Sequence, residues 1–433
     1  MAGRRIKSAL FVLVMFAFGF ASYLQFVYTN SVGFSVAYAS IKSRRNERRE
    51  ETGDEYETEA DRKNSSRLLP PYSASGSRTA HVKGGTSGVA ANDTLRSKIK
   101  SILLWTPKYG NADFGIGLGR TGFVRKGCTE SRCYVTDNRS LVESVDAILF
   151  HAWDTTSSTM PSRGRPDQIW IFYSLESPLT VGRQIRGTND KYNLTVTYLA
   201  HPDTDIVTRI RKLKRPVSEL PSSKSVRRKT KMAVWPVSNC AGALSSRNDY
   251  AEELGNYVEI DLFGRCGNLS CPIDDKSGCY SKFESEYFFY LSFENSLCEQ
   301  YITEKVYAVL RRNIVPVILG GGNYDETLPP NSYLDVRDFN SPRHLARYMT
   351  YLRKNTTAYL SYFAWKKDAS YHIGEIEKRT PPAYGKGGAF CRLCEILHDE
   401  GYPYKRDFNV EEYWSAKKLC LSGIRERKLL HMV

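Results

Sequence analysis

Between Phe289 and Val306 the chain reads FYLSFENSLCEQYITEKV, and Glu294, Asn295, Tyr301, Glu304 and Lys305 in it have side chains that can do chemistry. The stretch opens like a strand and closes like a helix. A plain connector needs turn residues; this one carries Tyr-x-x-Glu-Lys where a helix is expected to start, near Tyr301. A helix N-terminus offers unpaired backbone N–H groups and a partial positive charge. A phosphate sits well there. Lys305 in the first turn adds a full charge, and Glu304 can accept hydrogen bonds from sugar hydroxyls. A merely charged helix start accounts for Glu304 and Lys305 equally well, so the spacing alone leaves both readings open.

Such a seam needs a sheet to hold it. Tyr287–Phe293 reads as a buried strand, with Glu294-Asn295-Ser296 at its carboxyl end. Ile302, Val306, Val309 and Leu310 share one face of a helix expected over Ile302–Arg312. Further strands are expected at Ile102–Trp105, Ala147–Phe150, Ile169–Tyr173, Met232–Val237, Tyr257–Phe263 and Ile314–Leu319, with a helix over Ser246–Leu254. Continuous apolar strands alternating with helices imply parallel sheets covered on both faces. Ligands of such sheets gather at the carboxyl ends of the strands.

A basic run divides the pattern. Arg209 to Lys231 carries ten Lys/Arg against Glu219 alone, +9 of the net +15. Such a run can bind a polyanion, but a solvated linker between two α/β halves is the expectation. The chain of 433 residues is long enough for two domains. The expected plan is a cytoplasmic tail (1–7), a transmembrane signal anchor (8–28), a disordered stem (29–98) and a first α/β domain (99–208). The basic linker (209–231), a second α/β domain (232–398) and a C-terminal extension (399–433) follow. The anchor rests on an uncharged, apolar stretch from Ser8 to Tyr28, about the length that spans a bilayer. Arg4, Arg5 and Lys7 precede it and the next basic residue is Lys42, which places the N-terminus on the cytoplasmic side. A cleaved signal peptide is the alternative, with Ala37-Tyr38-Ala39 as a weak cleavage site. Sequons at Asn64, Asn92, Asn138, Asn193, Asn268 and Asn355 and an even count of ten cysteines fit a lumenal body. Nucleic acid is not expected as a partner on either ground.

FYLSFENSLCEQYITEK, VPVILGGGNYDETLPPNSYLDVRDFNSPRHLARYM, YLSYFAWK, FYSLESP and VSNC…SSRNDYAEEL…DLFGRCG together resemble the inverting α1,3-fucosyltransferases, over about Ile99 to Glu395. DFGIGLG and CGNLSCP look more like the invertebrate and plant glycoprotein type, which acts on the N-glycan core. The resemblance implies two Rossmann-like domains facing a cleft (GT-B type), GDP-fucose as donor, a GlcNAc-containing glycan as acceptor, and a lumenal domain on the Golgi membrane. It implies that Tyr301, Glu304 and Lys305 hold ribose and diphosphate, that Asn295 lies against the nucleotide, and that Arg247 binds phosphate. Glu176 in LESP falls on the family's general base. An inverting displacement needs base and leaving group on opposite faces, and Glu176 precedes the basic run while Arg247 and Lys305 follow it. No metal and no cofactor beyond the donor substrate is required by this scheme.

Other motifs carry less. Asp203-Thr204-Asp205 has the form of a metal-binding Asp-x-Asp but matches a family position with no metal role; a cap or turn is expected. Gly115–Gly119 lacks the strand-to-helix setting of a dinucleotide loop. Gly320-Gly321-Gly322 follows a strand and serves either a close backbone approach or a turn. His151-Ala152-Trp153-Asp154 stands where many members have His-x-Arg. That departure motivates an alternative, a catalytically impaired glycan- or nucleotide-binding relative. In relatives the C-terminal Cys-x-x-Cys, here Cys391 and Cys394, is disulfide-bonded; Cys128 and Cys133 are the partners expected for it here, and would tie the C-terminus to the first domain. Cys240, Cys266, Cys271, Cys279 and Cys298 cannot be paired from sequence, and the extension beyond Asp399 has no account.

Overall fold

Unbroken apolar runs bury both faces of a sheet, and the structure, a computed structural model, contains two sheets of this kind. It describes residues 99–112, 114–207, 220–240, 243–271, 276–367 and 388–432. The expected tail, anchor and stem (1–98) lie outside these residues. Among the described residues no helix is long and apolar enough to cross a membrane.

The first sheet runs β2-β1-β3-β4-β5-β6. Its strands are β1 (Lys100–Leu104), β2 (Cys133–Thr136), β3 (Ala147–His151), β4 (Ile169–Ser174), β5 (Leu194–Thr197) and β6 (Ile206–Val207), all parallel. The second runs β12-β11-β9-β7-β8. It is built from β7 (Lys231–Pro236), β8 (Ile260–Phe263), β9 (Tyr287–Phe293), β11 (Val315–Leu319) and β12 (Leu334–Asp335), again all parallel. The strand order reverses between β1 and β3 in one sheet and between β7 and β9 in the other. Crevices form at such switch points, outside the carboxyl ends of the strands. A short antiparallel pair joins β10 (Leu297–Cys298), just after β9 in the chain, to β13 (Cys420–Leu421) in the C-terminal extension.

Expected and observed elements differ at the edges. Tyr257–Phe263 shortens to Ile260–Phe263, because residues 256–258 turn back on the preceding helix through bonds to Glu253 and Leu254 carbonyls. The helix expected to begin near Tyr301 begins at Glu304, with Thr303 as its cap. Gln300 just ahead of it sits at φ 57, so Tyr301 leaves a turn rather than opening a helix.

The expected linker 209–231 ends inside the second sheet. Lys231 opens β7 and pairs with Asp261 at 3.2 Å and Glu286 at 3.4 Å. Lys229 is buried and donates to the Glu284 and Tyr287 carbonyls. Residues 209–219 of the run lie outside the described set.

The C-terminal third crosses between the sheets. Helix Ala389–Leu397 falls within 232–398 in sequence, yet it packs Phe390, Leu393 and Ile396 on the first sheet's core. Cys128–Cys391 and Cys133–Cys394 hold it there, so Cys128 and Cys133 are the partners as expected, and the structure assigns which pairs with which. Cys240–Cys266, Cys271–Cys279 and Cys298–Cys420 account for the remaining cysteines. The extension then buries Phe408, Val410, Tyr413 and Trp414 against the other face of the first sheet. After β13 it places Leu430 in the core of the second. It is a strap that closes on both halves.

Candidate active site

Glu176 and Asn295 sit where a strand gives out, and Arg247, Glu304 and Lys305 where a helix begins. Glu176 comes two residues after β4. The turn is fixed by Ser174 Oγ, which donates to the Glu176 carbonyl at 3.1 Å. Ser177 caps the following helical turn, Pro178–Val181. Its Oγ also donates to Ser296 Oγ at 2.7 Å, a buried bond between the two halves. Glu176 itself accepts two tyrosine hydroxyls: Tyr109 on Oε1 at 2.8 Å and Tyr301 on Oε2 at 3.2 Å. Tyr109 belongs to the first half and Tyr301 to the second. The carboxylate therefore lies at the junction between them.

The second half contributes a cationic cavity. A space of about 160 Å³ is lined by Trp235–Asn239 at the end of β7, Phe293 and Asn295 at the end of β9, and by Arg247 and Lys305. It occupies the switch point of that sheet, where a ligand is expected. Arg247 is the first residue of helix Arg247–Gly255. Its guanidinium donates to the Phe293 carbonyl at 3.1 Å and the Asn239 carbonyl at 3.0 Å, and lies over Trp235. Burial lowers its pKa, partly offset by Glu294 and Tyr301. Lys305 Nζ binds Glu294 Oε2 and Thr303 Oγ1, both at 2.8 Å. Burial alone would push Lys305 down; Glu294 and Glu304 outweigh it and hold its pKa above the ordinary value. Buried polar groups are ordinarily paired, yet Arg247 Nε and Asn295 Oδ1 are buried without a hydrogen-bond partner among the described residues. Both lie on residues lining the cavity: Arg247 Nε can donate to an anion, and Asn295 Oδ1 can accept from an N–H or O–H of the same ligand.

The structure thus brings Arg247, Asn295 and Lys305 to one cavity. Tyr301 stands apart from that lining: it is buried, packs against Tyr198, and turns its hydroxyl to Glu176. Glu304 is exposed at the helix start. Glu294, at the seam but without a role from sequence, anchors the group. It accepts Thr303 N–H at 2.9 Å, Thr303 Oγ–H at 2.8 Å and the Lys305 ammonium.

Gly320 to Gly322 answers its question by close approach. A Cβ on Gly321 would meet the Cys298 backbone at 2.6–2.8 Å, and one on Gly320 would lie 2.3 Å from Tyr324 Oη. The glycines let the loop from Asn295 to Tyr301 lie flat on the end of β11. The extension braces the same loop through β10–β13 and Cys298–Cys420. Buried Glu426 accepts the Ser246 N–H directly ahead of Arg247. Asp205, of the declined Asp-x-Asp, is consumed structurally by Thr195 at 2.7 Å and 2.8 Å, Tyr402 at 2.7 Å, and Lys405. Cys133, Cys394 and His398 cluster closely, but the two sulfurs form a disulfide and are not metal ligands.

Sequence reasoning missed Tyr109 and the strap. Tyr109 lies in an irregular loop at φ 54, half exposed, with its ring edge-on to His151 at 4.8 Å and near Trp153 at 6.2 Å. His151 is buried and contacts Asp154 through Nδ1 at 2.5 Å. Its burial outweighs Asp154 and lowers its pKa.

The family described as glycosyltransferase family 10 (fucosyltransferase), C-terminal, matches residues 226–413, and the fucosyltransferase N-terminal family matches residues 97–211. Alpha-(1,3)-fucosyltransferase C of Drosophila melanogaster is 32% identical over 357 residues, 75% of this chain and 80% of that one. Glycoprotein 3-alpha-L-fucosyltransferase A of the same organism is 33% identical over 334 residues, 75% of this chain but 62% of that protein's length. Human 4-galactosyl-N-acetylglucosaminide 3-alpha-L-fucosyltransferase FUT5 is 33% identical over 331 residues, 74% of this chain and 82% of that one. A crystal structure of an alpha1,3-fucosyltransferase with GDP-fucose aligns over 73% of this chain and 96% of its own, at 16% identity and a TM-score of 0.46.

Proposed function

Since the chain belongs to glycosyltransferase family 10, the fucosyltransferases, we propose that it moves L-fucose from GDP-fucose to O3 of a GlcNAc residue on glycoprotein glycans. The observation that carries the mechanism is the placement of opposite charges. The Glu176 carboxylate projects from the first sheet to the junction, and Arg247 and Lys305 line a cavity on the second.

The reaction is a single inverting displacement. The acceptor hydroxyl attacks the anomeric carbon and gives its proton to Glu176 while the bond to the diphosphate breaks. A sugar hydroxyl is a poor nucleophile, and a positioned base contributes about 10²–10⁴ in rate. The departing GDP gains charge as it leaves. Arg247 and Lys305, fixed beforehand by Phe293, Asn239 and Glu294, meet that charge without reorganising. Asn295 and Glu304 position the donor. Tyr301 spans to the base. The scheme calls on no metal.

The five disulfides among the described residues fit an oxidising compartment. With the apolar stretch from Ser8 to Tyr28 they support a type II placement, the catalytic half in the Golgi lumen. The test of the reading is mass spectrometry, with linkage analysis, of a defined N-glycopeptide incubated with GDP-fucose and the purified lumenal part. One added deoxyhexose on O3 of a GlcNAc is expected, and its position assigns the innermost residue or an outer lactosamine. Bound GDP with no product would instead favour a binding-only relative.

The glycine run gives a second check. Gly321→Ala must move the Cys298 backbone, and overpacking of this kind costs about 1–3 kcal/mol. A lowered thermal midpoint together with weaker GDP binding is expected. Unchanged values of both would show that the loop does not need this approach.

A further inference from the structure

The Glu176 carboxylate is not left to find its own orientation. Both of its oxygens accept a tyrosine hydroxyl, and the shorter bond, 2.8 Å, comes from Tyr109. Tyr109 is held in turn. Its backbone N–H donates to Asp154 Oδ2 at 3.1 Å, the same oxygen that contacts His151 Nδ1 at 2.5 Å. Its ring stands edge-on to His151 at 4.8 Å. Its backbone adopts φ 54, a conformation that a bulky residue rarely takes. Strain of this kind persists only where the surroundings over-determine it, and it gathers at functional sites. Here the over-determination is visible: one carboxylate holds the N–H, one ring holds the side chain, and the hydroxyl ends on the base.

We propose that Tyr109 is a positioning residue for Glu176, held in place by Asp154 and His151, so that the HAWD segment serves the base. This rests on the reading of Glu176 as the general base. The Glu176 charge bears on Tyr109, Tyr198, Tyr301 and His151. Burial and the Glu176 charge push the Tyr109 hydroxyl far up, so it stays protonated and donates throughout the working range. The orientation of the base then has a source outside the donor cavity.

Tyr109→Phe keeps the ring on His151 and removes only the hydroxyl. The hydrogen bond removed, to a charged group, is worth roughly a factor of ten. The plateau kcat should fall about tenfold, with GDP affinity unchanged because Tyr109 does not line the donor cavity. Asp154→Ala should lower kcat in the native background and add nothing in the Tyr109→Phe background, because Asp154 acts through Tyr109. A native kcat, or a fall in kcat matched by an equal loss of GDP affinity, overturns the proposal, and so does an additive effect of Asp154→Ala. Glu176→Gln separates the two ideas. If it is inactive while Tyr109→Phe keeps the native kcat, Tyr109 alone loses its role; if it turns over normally, the base reading falls and takes the proposal with it.

Discussion

Glu176→Gln is expected to lose about 10³ in the rate of transfer, within the range a general base contributes, while binding GDP within about twofold of the native protein. The substitution keeps the side-chain shape, so Tyr109 and Tyr301 still have a partner in place. It removes the capacity to take a proton. GDP binding should survive because the cavity of Arg247, Asn295 and Lys305 does not include Glu176. Single-turnover kinetics and calorimetry with GDP measure the two halves of this expectation separately. A rate within tenfold of native would remove Glu176 from its role. Lost GDP binding with it would place Glu176 in the donor site instead.

The division of labour behind this result was legible in the chain, though unevenly. Tyr287–Phe293 is a strand in both readings because seven consecutive residues are buried, which leaves no polar face to confuse the pattern. Leu194–Thr197 escaped because Thr195 and Thr197 look like surface residues. Both are fully buried, and Thr195 is satisfied by Asp205 and the Asp203 carbonyl. Periodicity sees apolar patterns and not buried polar groups that have found partners. At the site, resemblance reached Arg247, Asn295 and Lys305, which share a cavity. It did not reach Tyr109, whose partner Glu176 is 67 residues away and whose position depends on a left-handed backbone. The extension stayed silent for a similar reason. Cys420 has meaning only beside Cys298, and Glu426 only beside the Ser246 N–H; both contacts are tertiary.

Lys305→Met should fail in two ways that can be pulled apart. The first is electrostatic stability. Glu294 has a side chain only 3% exposed and depends on the Lys305 ammonium at 2.8 Å for its counter-charge. Breaking a buried pair by removing one partner costs about 3–5 kcal/mol, because an uncompensated charge is left behind. The second is catalytic. Lys305 is held charged by Glu294 and Glu304 and lines the cavity where the leaving diphosphate would sit. Removing one such fixed charge from the transition state costs about 10²–10³ in rate. Adding Glu294→Gln to Lys305→Met separates the terms. The neutral amide no longer needs a cation and can still accept from Thr303, so the thermal midpoint should recover most of its loss. The rate should not recover, since the phosphate has still lost its charge partner. If the double substitution restores transfer along with stability, Lys305 is a structural counter-ion for Glu294 and the leaving group is stabilised by Arg247 without it. The distinction matters because an ammonium touching a buried carboxylate is already partly neutralised, and only a site that keeps Arg247 close by can still present net positive charge to a diphosphate.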